Sequence, residues 1–93
     1  MDLETIIKEK KGTIVDVRTT SEFGGGHVVG SINIPLNELP DKMEEIKKLK
    51  TPLVLCCAAG GRSSVATQML KQQGIECLNG GSWMDVNYYH SKN

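Results

Sequence analysis

The stretch that decides the fold is Leu53-Val54-Leu55-Cys56-Cys57-Ala58-Ala59-Gly60-Gly61-Arg62-Ser63. Its apolar beginning, which extends back to Thr51, predicts a strand covered on both faces, as in a parallel sheet. Four small residues separate Cys57 from Arg62, and a helix-like pattern runs from Ser63 to Gln73. A thiol at the end of a strand, a loop of small residues and an arginine at the start of a helix together indicate a reactive cysteine.

Strand and helix patterns alternate on both sides of this stretch. Before it, apolar spacing and β-branched runs predict a helix over 3–10, strands over 13–17 and 32–34 with a loop between them, and a helix from Pro40. The apolar face of this last helix would carry Met43, Ile46 and Leu49. After it, the patterns predict a strand over 75–78, a turn at Asn79-Gly80-Gly81 and a helix over 82–88. In the helix of residues 63–73, the side chains expected to face inward are Val65, Ala66, Met69 and Leu70. The alternation predicts an α/β fold whose mainly parallel central sheet is flanked by helices on both faces. The Cys57 loop would then lie at the edge where parallel sheets bind ligands.

Length, charge and cysteine count narrow the possible partners. Ninety-three residues suit one domain, here residues 1–93, and eleven basic residues balance eleven acidic ones. We therefore expect no nucleic acid and no membrane as partner, and we expect a monomer. No apolar run reaches the ~18 residues of a membrane span, and the acidic N-terminus is unlike a secretory signal. Three cysteines, two of them adjacent, favour free thiols in the reducing cytoplasm.

Three features of the loop are expected to lower the pKa of a thiol. The helix that begins near Arg62 directs its positive end at the loop, and the small residues allow several backbone N–H groups to turn inward. Arg62 adds a permanent cation. The same features would hold a bound anion, so the candidate catalytic residues are Cys57 and Arg62. The candidate substrate-binding residues are Ala58, Ala59, Gly60, Gly61, Arg62 and Ser63.

The two adjacent cysteines give two spacings to the same arginine. Cys57 gives Cys-x4-Arg, whereas Cys56 gives Cys-x5-Arg. Because successive side chains of a strand point to opposite faces, only one of the two thiols can enter the loop pocket. Cys56 continues the apolar run and is expected in the core, which leaves Cys57 as the nucleophile.

Four motifs, in order along the chain, resemble those of the rhodanese family of sulfurtransferases. They are Asp16-Val17-Arg18 followed by Glu22-Phe23, the segment from Gly26 to Leu36 with its Gly-His and Ile-Asn-Ile-Pro, the loop Cys57-x-x-Gly60-x-Arg62-Ser63, and the glycine pair of Asn79-Gly80-Gly81. The resemblance covers about residues 13–83 and implies a rhodanese-like domain.

The same resemblance implies a mechanism. Cys57 takes the outer sulfur of a small sulfur-containing anion, thiosulfate or a persulfide or polysulfide, and becomes a persulfide. The sulfur then passes to a thiophilic acceptor, which is cyanide, a thiol or a sulfur-acceptor protein. Arg62 and the loop amides stabilise the anions, and neither an organic cofactor nor a metal is implied.

Two alternatives remain open. With Cys56 as nucleophile, the loop has the seven-residue length found in phosphatases and arsenate reductases, although Leu55 stands where such phosphatases usually carry His. A non-catalytic, rhodanese-like regulatory module is the other alternative, and the intact Cys57 and Arg62 argue against it. The single loop cation further suggests that thiosulfate is a poorer donor than a persulfide or polysulfide.

Several other residues near the motifs are expected to be structural. Asp16, Arg18 and Glu22 are interpreted as a charged pair or cap that holds the loop after the first strand. His27 is expected to make a structural hydrogen bond, and Trp83 is expected to close the core of this aromatic-poor chain.

Overall fold

The computed structural model describes residues 2–92, and their centre is a four-stranded sheet in which every pair of neighbours is parallel. The strands are β1 (Thr13–Asp16), β2 (Ile32–Asn33), β3 (Leu53–Cys57) and β4 (Cys77–Ser82), in the spatial order β2-β1-β3-β4. All five residues of β3 are buried. The predicted α/β fold with a parallel sheet is therefore confirmed.

Helices cover both faces of this sheet, as predicted. They are α1 (Leu3–Lys8), α2 (Thr20–Gly24), a 3-10 helix (Leu36–Lys42), α3 (Met43–Ile46), α4 (Gly61–Gln72) and α5 (Trp83–His90). On one face, Leu39, Ile46 and Leu70 pack with alternate residues of β3 in one core cluster. On the other face, Ile7 of α1 and Val86 of α5 pack with the remaining β3 residues in a second cluster. Each face of β3 thus has its own apolar layer.

Two predictions between β1 and β3 were wrong in their details. A short helix, α2, stands where a loop was expected, because Thr19 and Glu22 form a capping box that satisfies its first N–H groups. The helix expected from Pro40 is a 3-10 helix that continues into α3, and Pro40 lies inside its 3-10 portion. Proline has no N–H to donate to an α-helical ladder at that position. The apolar face is as predicted, since Ile46 is buried and packs in the first cluster.

Two predictions beyond β3 also need correction. Asn79, Gly80 and Gly81 do not form a turn but belong to β4. A register shift leaves Gly80 unpaired between the pairs Leu55–Asn79 and Cys56–Gly81, and Gly81 has a φ of 78°. Val65 is half exposed. Ala66 and Leu70 are buried and Met69 packs against the core, as predicted. Ser63 and Thr67 complete the buried face of α4, because their hydroxyls have partners within the protein.

Side chains cap three of the helices at their amino ends. The Asp2 carboxylate accepts a hydrogen bond from the Thr5 N–H at 2.8 Å, as expected for the start of α1. The Ser82 hydroxyl accepts from the Met84 N–H at 3.2 Å and so begins α5 immediately after β4. Within residues 2–92, no helix has both the length and the apolar character to cross a membrane.

Gly80 provides a test of how tightly β4 packs. A Cβ at this position would lie 2.8 Å from Cγ1 of Val54, 2.9 Å from Cγ2 of Val86 and 3.0 Å from the carbonyl oxygen of Leu55. We expect Gly80→Ala to lower the free energy of unfolding by about 1–3 kcal/mol, because the overpacked sheet must shift. Urea unfolding followed by circular dichroism measures the change.

Gly24→Ala is the matched control for this substitution. A Cβ at Gly24 has nothing within 4 Å, and alanine is the better helix former at the end of α2. The control protein should be as stable as the wild type or slightly more stable. Equal unfolding midpoints for the two variants would contradict the tight packing inferred at Gly80.

Candidate active site

The loop after β3 is shaped by Gly60, which has the left-handed backbone conformation φ 103°, ψ −14°. Side-chain-bearing residues rarely adopt this conformation, and it ends the loop one residue before α4 begins at Gly61. The chain turns back so that the Gly60 N–H points at the sulfur of Cys57, with 3.0 Å between the nitrogen and Sγ. The small residue at position 60 therefore has a defined structural role in the site.

Two backbone N–H donors and one hydroxyl surround the Cys57 sulfur. Besides the Gly60 amide, the Ser63 amide nitrogen and the Ser63 hydroxyl oxygen each lie 3.4 Å from Sγ. Burial raises the pKa of the Cys57 thiol, but hydrogen bonds from Ser63 and from the Gly60 and Ala59 amides outweigh it, so the pKa is lowered overall. Hydrogen bonding within the loop therefore favours the thiolate.

Cys56 lies in the opposite environment. Its side chain packs in the second core cluster, with Val54 and Val86, whereas Cys57 belongs to the first. Burial, followed by the negative charge of Asp16, raises the pKa of Cys56 to about 12. The prediction that strand alternation places the two cysteines on opposite faces is confirmed, and Cys56 stays a protonated thiol at neutral pH.

Ser63 connects the Cys57 sulfur to Asn79 of β4. The Ser63 hydroxyl lies 2.7 Å from Oδ1 of Asn79 and 3.4 Å from Sγ, and it has a single proton to donate. When Cys57 is a thiol, the hydroxyl donates to Asn79 and accepts from the S–H group. When Cys57 is a thiolate, the hydroxyl can turn its proton to the sulfur, since Asn79 Oδ1 keeps the Gly81 N–H at 2.9 Å. Asn79 also donates to the Gly60 carbonyl at 3.4 Å, which braces the loop.

Arg62 forms a two-pronged ion pair with Glu22. Its Nη1 lies 2.7 Å from Oε1 of Glu22, and its Nη2 lies 3.0 Å from Oε2. The guanidinium beside it, together with the Thr19 amide, lowers the pKa of Glu22 to about 2. The expected loop cation thus has a carboxylate partner from α2.

The buried pair Asp16–Arg18 supports the segment that carries Glu22. Arg18 Nη2 donates to the Asp16 carboxylate and to the Gly26 carbonyl, each at 2.7 Å, and the guanidinium lies 4.7 Å from the centroid of the Trp83 ring. The pair therefore ties the end of β1 to the chain beyond α2. The structural interpretation of Asp16 and Arg18 agrees with these contacts.

The remaining structural expectations are also met in the fold. His27 donates from Nδ1 to the Phe23 carbonyl at 2.8 Å, and the two rings stack with centroids 3.7 Å apart. Trp83 packs against the second core cluster. Both residues therefore have structural contacts, as predicted.

The predicted site residues come together only in part. Cys57, Gly60 and Ser63 are in direct contact, whereas Ala58 and Ala59 are exposed. Gly61 is exposed at the first position of α4, and the side chain of Arg62 contacts Glu22.

Sequence reasoning missed two contacts in this region. It assigned Asn79 to a turn, although the residue stands directly before the register shift of β4 and contacts Ser63. It also treated Glu22 as a cap without seeing its partner Arg62. The Thr19-x-x-Glu22 spacing could have revealed α2, but no local pattern revealed the ion pair.

A separate cleft of about 280 Å³ lies near the amino end of β1, away from the carboxyl end of β3 that carries Cys57. Ile6, Lys10, Thr13 and His90 contribute to its lining. Thr13 begins β1 and pairs with Leu53, the first residue of β3. Because Cys57 is the last residue of β3, this cleft is not part of the cysteine site.

Known proteins with similar sequences and structures share this architecture. Residues 2–84 match the family model described as a rhodanese-like domain. The chain is 41% identical over 75 residues to the uncharacterized protein YqhL of Bacillus subtilis, a match that covers 77% of this chain and 59% of that protein. It is 36% identical over 61 residues to a protein named sulfurtransferase from Allochromatium vinosum, covering 66% of this chain and 56% of that protein. The chain thus spans somewhat more than half the length of each relative.

A solved structure extends the similarity to the fold. The crystal structure of a rhodanese-related protein from Thermoplasma volcanium superposes with a TM-score of 0.79 at 30% sequence identity. The match covers 99% of this chain and 89% of that one. The short helices and the four-stranded sheet therefore belong to a known arrangement.

Ser63→Ala tests the hydrogen bonding of the Cys57 sulfur. Loss of the hydroxyl removes a donor to the thiolate, so the pKa of Cys57 should rise and its alkylation by iodoacetamide at neutral pH should slow by roughly threefold to tenfold. The pH dependence of the alkylation rate, followed by mass spectrometry, measures the effect. Ser64→Ala, which changes an exposed neighbour on the same helix, is the control and should leave the profile unchanged. The same profile in all three proteins would show that the Ser63 hydroxyl does not stabilise the thiolate.

Proposed function

The chain belongs to the rhodanese-like domain family, and from this we propose that it is a sulfurtransferase in which Cys57 carries sulfane sulfur as a persulfide. The observation that carries the proposal is the set of donors directed at Cys57 Sγ, led by the Gly60 amide at 3.0 Å. Donors that favour a thiolate also favour a negative persulfide, because both place an anion at the start of α4. A relative named sulfurtransferase supports the same class of reaction.

The proposed reaction has two displacement steps at sulfur. In the first, the Cys57 thiolate attacks the outer sulfur of a donor, such as thiosulfate or a persulfide or polysulfide. A bond forms between Sγ and that sulfur while the donor's own S–S bond breaks, and the electron pair leaves with sulfite or a thiolate. In the second, cyanide or an acceptor thiolate attacks the terminal sulfur of the persulfide, which releases thiocyanate or a new persulfide and regenerates the Cys57 thiolate. Because the attacking groups are already ionised, neither step needs a general base.

The loop would supply the binding site for the donor and the persulfide. The small side chains of residues 58–61 leave space for the added sulfur, and the amides of the Ala59–Ser63 segment provide hydrogen-bond donors. In our proposal, the positive charge of Arg62 attracts the donor anion, and Ser63 stabilises the sulfur anion of Cys57 by hydrogen bonding. We propose residues 58–63 as the substrate-binding residues, with Cys57 and Arg62 as the catalytic residues.

The choice of Cys57 over Cys56 has a physical basis. Both cysteines are buried, but the pKa of about 12 keeps Cys56 protonated at neutral pH. A phosphatase or arsenate reductase that used Cys56 would need that sulfur as a thiolate in the loop. The lowered pKa and the loop contacts of Cys57 support the sulfurtransferase instead.

The cellular setting and assembly are also part of the proposal. Cys56, Cys57 and Cys77 are all free thiols, which suits a reducing compartment such as the cytoplasm. We propose that residues 1–93 act as one domain and as a monomer, with a small sulfur anion as donor and a thiol, cyanide or sulfur-acceptor protein as acceptor.

Loading with sulfur tests the nucleophile directly. Intact-mass measurement after incubation with thiosulfate should show one added sulfur atom in the wild type, and cyanide should remove it as thiocyanate. Cys56→Ser should load like the wild type, whereas Cys57→Ser should gain no sulfur because its hydroxyl is not ionised at neutral pH. Sulfur retained by Cys57→Ser but absent from Cys56→Ser would reverse the assignment.

An aryl phosphate distinguishes the alternative reaction. The sulfurtransferase proposal predicts no hydrolysis of para-nitrophenyl phosphate above the background rate. Hydrolysis by the wild type that disappears in Cys56→Ser would support a phosphatase and contradict the proposal.

A further inference from the structure

The ion pair between Arg62 and Glu22 places a negative charge in contact with the only arginine of the proposed sulfur-binding loop. Both N–H groups of the guanidinium fork are directed at the two carboxylate oxygens, at 2.7 and 3.0 Å. The two side chains are 36% and 37% exposed, so solvent and a small donor can reach the pair. Any anion that approaches Arg62 from solution therefore meets a carboxylate that already takes one hydrogen bond from each terminal nitrogen of the guanidinium.

Glu22 is held in this position by its own helix. Its Oε1 accepts hydrogen bonds from the Thr19 amide and the Thr19 hydroxyl, each at 3.0 Å, as part of the α2 capping box. The pKa of Glu22 is about 2, because Arg62 and Thr19 hydrogen-bond its carboxylate, so the charge is present at every working pH. A sulfur donor that binds to Arg62 must either displace this carboxylate, which Arg62 and the amide and hydroxyl of Thr19 hold in place, or bind next to it.

The other charges near the loop do not compensate for Glu22. Residues 58–61 carry no charge, and Arg18 is engaged by the buried Asp16 carboxylate at 2.7 Å. Arg62 and Glu22 cancel each other, and the Cys57 thiolate adds one negative charge. In the first displacement step, a negatively charged sulfur donor therefore approaches a site in which each of these cations already has a carboxylate partner.

We propose that Glu22 determines the charge of the sulfur donor by disfavouring dianions, so that a monoanionic donor reacts in preference to dianionic thiosulfate. Like charges placed side by side repel, and the repulsion from Glu22 is about twice as large for a dianion as for a monoanion. A persulfide on an otherwise uncharged carbon chain has the favoured charge. The inference rests on the proposed sulfurtransferase function and adds to it a specificity-determining residue outside the cysteine loop.

Two small donors of nearly the same shape isolate this effect. Methanethiosulfonate differs from thiosulfate by a methyl group in place of one charged oxygen. With either donor the Cys57 thiolate attacks the outer sulfur, a new S–S bond forms, the donor's S–S bond breaks, and the electron pair leaves with methanesulfinate or sulfite. Donor charge is thus changed while the transferred atom stays the same.

Glu22→Gln removes the charge and keeps the shape. Glutamine can still accept from Thr19 in a capping box and from one N–H of Arg62. We expect kcat/KM for thiosulfate, with cyanide as acceptor, to rise on the order of tenfold, and that for methanethiosulfonate to rise at most about threefold. The decisive quantity is the fold-change in kcat/KM for thiosulfate divided by the fold-change for methanethiosulfonate. The different reactivity of the two leaving groups cancels from this ratio.

Two further variants make the result specific. Glu45→Gln removes a negative charge from α3, where Glu45 forms an exposed ion pair with Lys42 of the 3-10 helix. It should leave kcat/KM for both donors unchanged. Glu22→Ala also removes the charge but loses the side-chain contact with Arg62. If donor charge is the cause, Glu22→Ala must shift the ratio of kcat/KM for thiosulfate to that for methanethiosulfonate in the same direction as Glu22→Gln does. This shift is expected even if both rates fall.

The possible results separate this inference from the proposed function. Sulfur transfer by the wild type, with a donor ratio that neither Glu22 variant changes, would mean that Glu22 only orients Arg62, and the inference would be wrong while the sulfurtransferase proposal survives. No transfer from either donor by the wild type would contradict both proposals. A ratio shifted toward thiosulfate in both Glu22 variants, with Glu45→Gln unchanged, supports the inference.

Discussion

The hydrogen bond from the Gly60 amide to the Cys57 sulfur is the contact on which the site depends. It requires that β3 end at Cys57, that Gly60 adopt a left-handed conformation, and that α4 begin at the next residue. The two core clusters fix the end of β3, since each packs against alternate residues of this strand. A one-residue slip would exchange the two cysteines between the two faces of the sheet. The packing of the sheet therefore also determines which thiol faces the loop amides.

The charges around the loop act differently from what a lone arginine suggests. The Cys57 pKa is lowered chiefly by hydrogen bonds from Ser63 and the loop amides, after burial has raised it. Arg62 is meanwhile oriented by Glu22. In our proposal, stabilisation of the sulfur anion and recognition of the donor thus depend on separate groups. This separation allows the donor preference to change without loss of the thiolate, which is consistent with a family whose members share a fold but need not share a substrate.

Much of the fold follows from patterns that extend over a few residues. The continuous apolar run of β3, the caps of α1 and α5 and the face of Ile46 are all short-range signals, and each predicted helix and strand has a counterpart in the structure. The misplaced features have short-range causes as well. Pro40 interrupts α-helical hydrogen bonding, Thr19 caps an unexpected helix, and the glycines after Asn79 fit a bulged strand as well as a turn.

The sequence by itself determined the alternation that separates Cys56 from Cys57, and it determined the small loop and the arginine at the start of α4. These features are local, because a strand's period of two and the freedom of glycine depend on neighbours in the chain. Only the tertiary structure decided that Glu22 meets Arg62, 40 positions away, and that Asn79 meets Ser63, 16 positions away. Such pairs form where separate strands end at the same edge of a sheet, and their geometry depends on the packing of whole elements rather than on any local pattern.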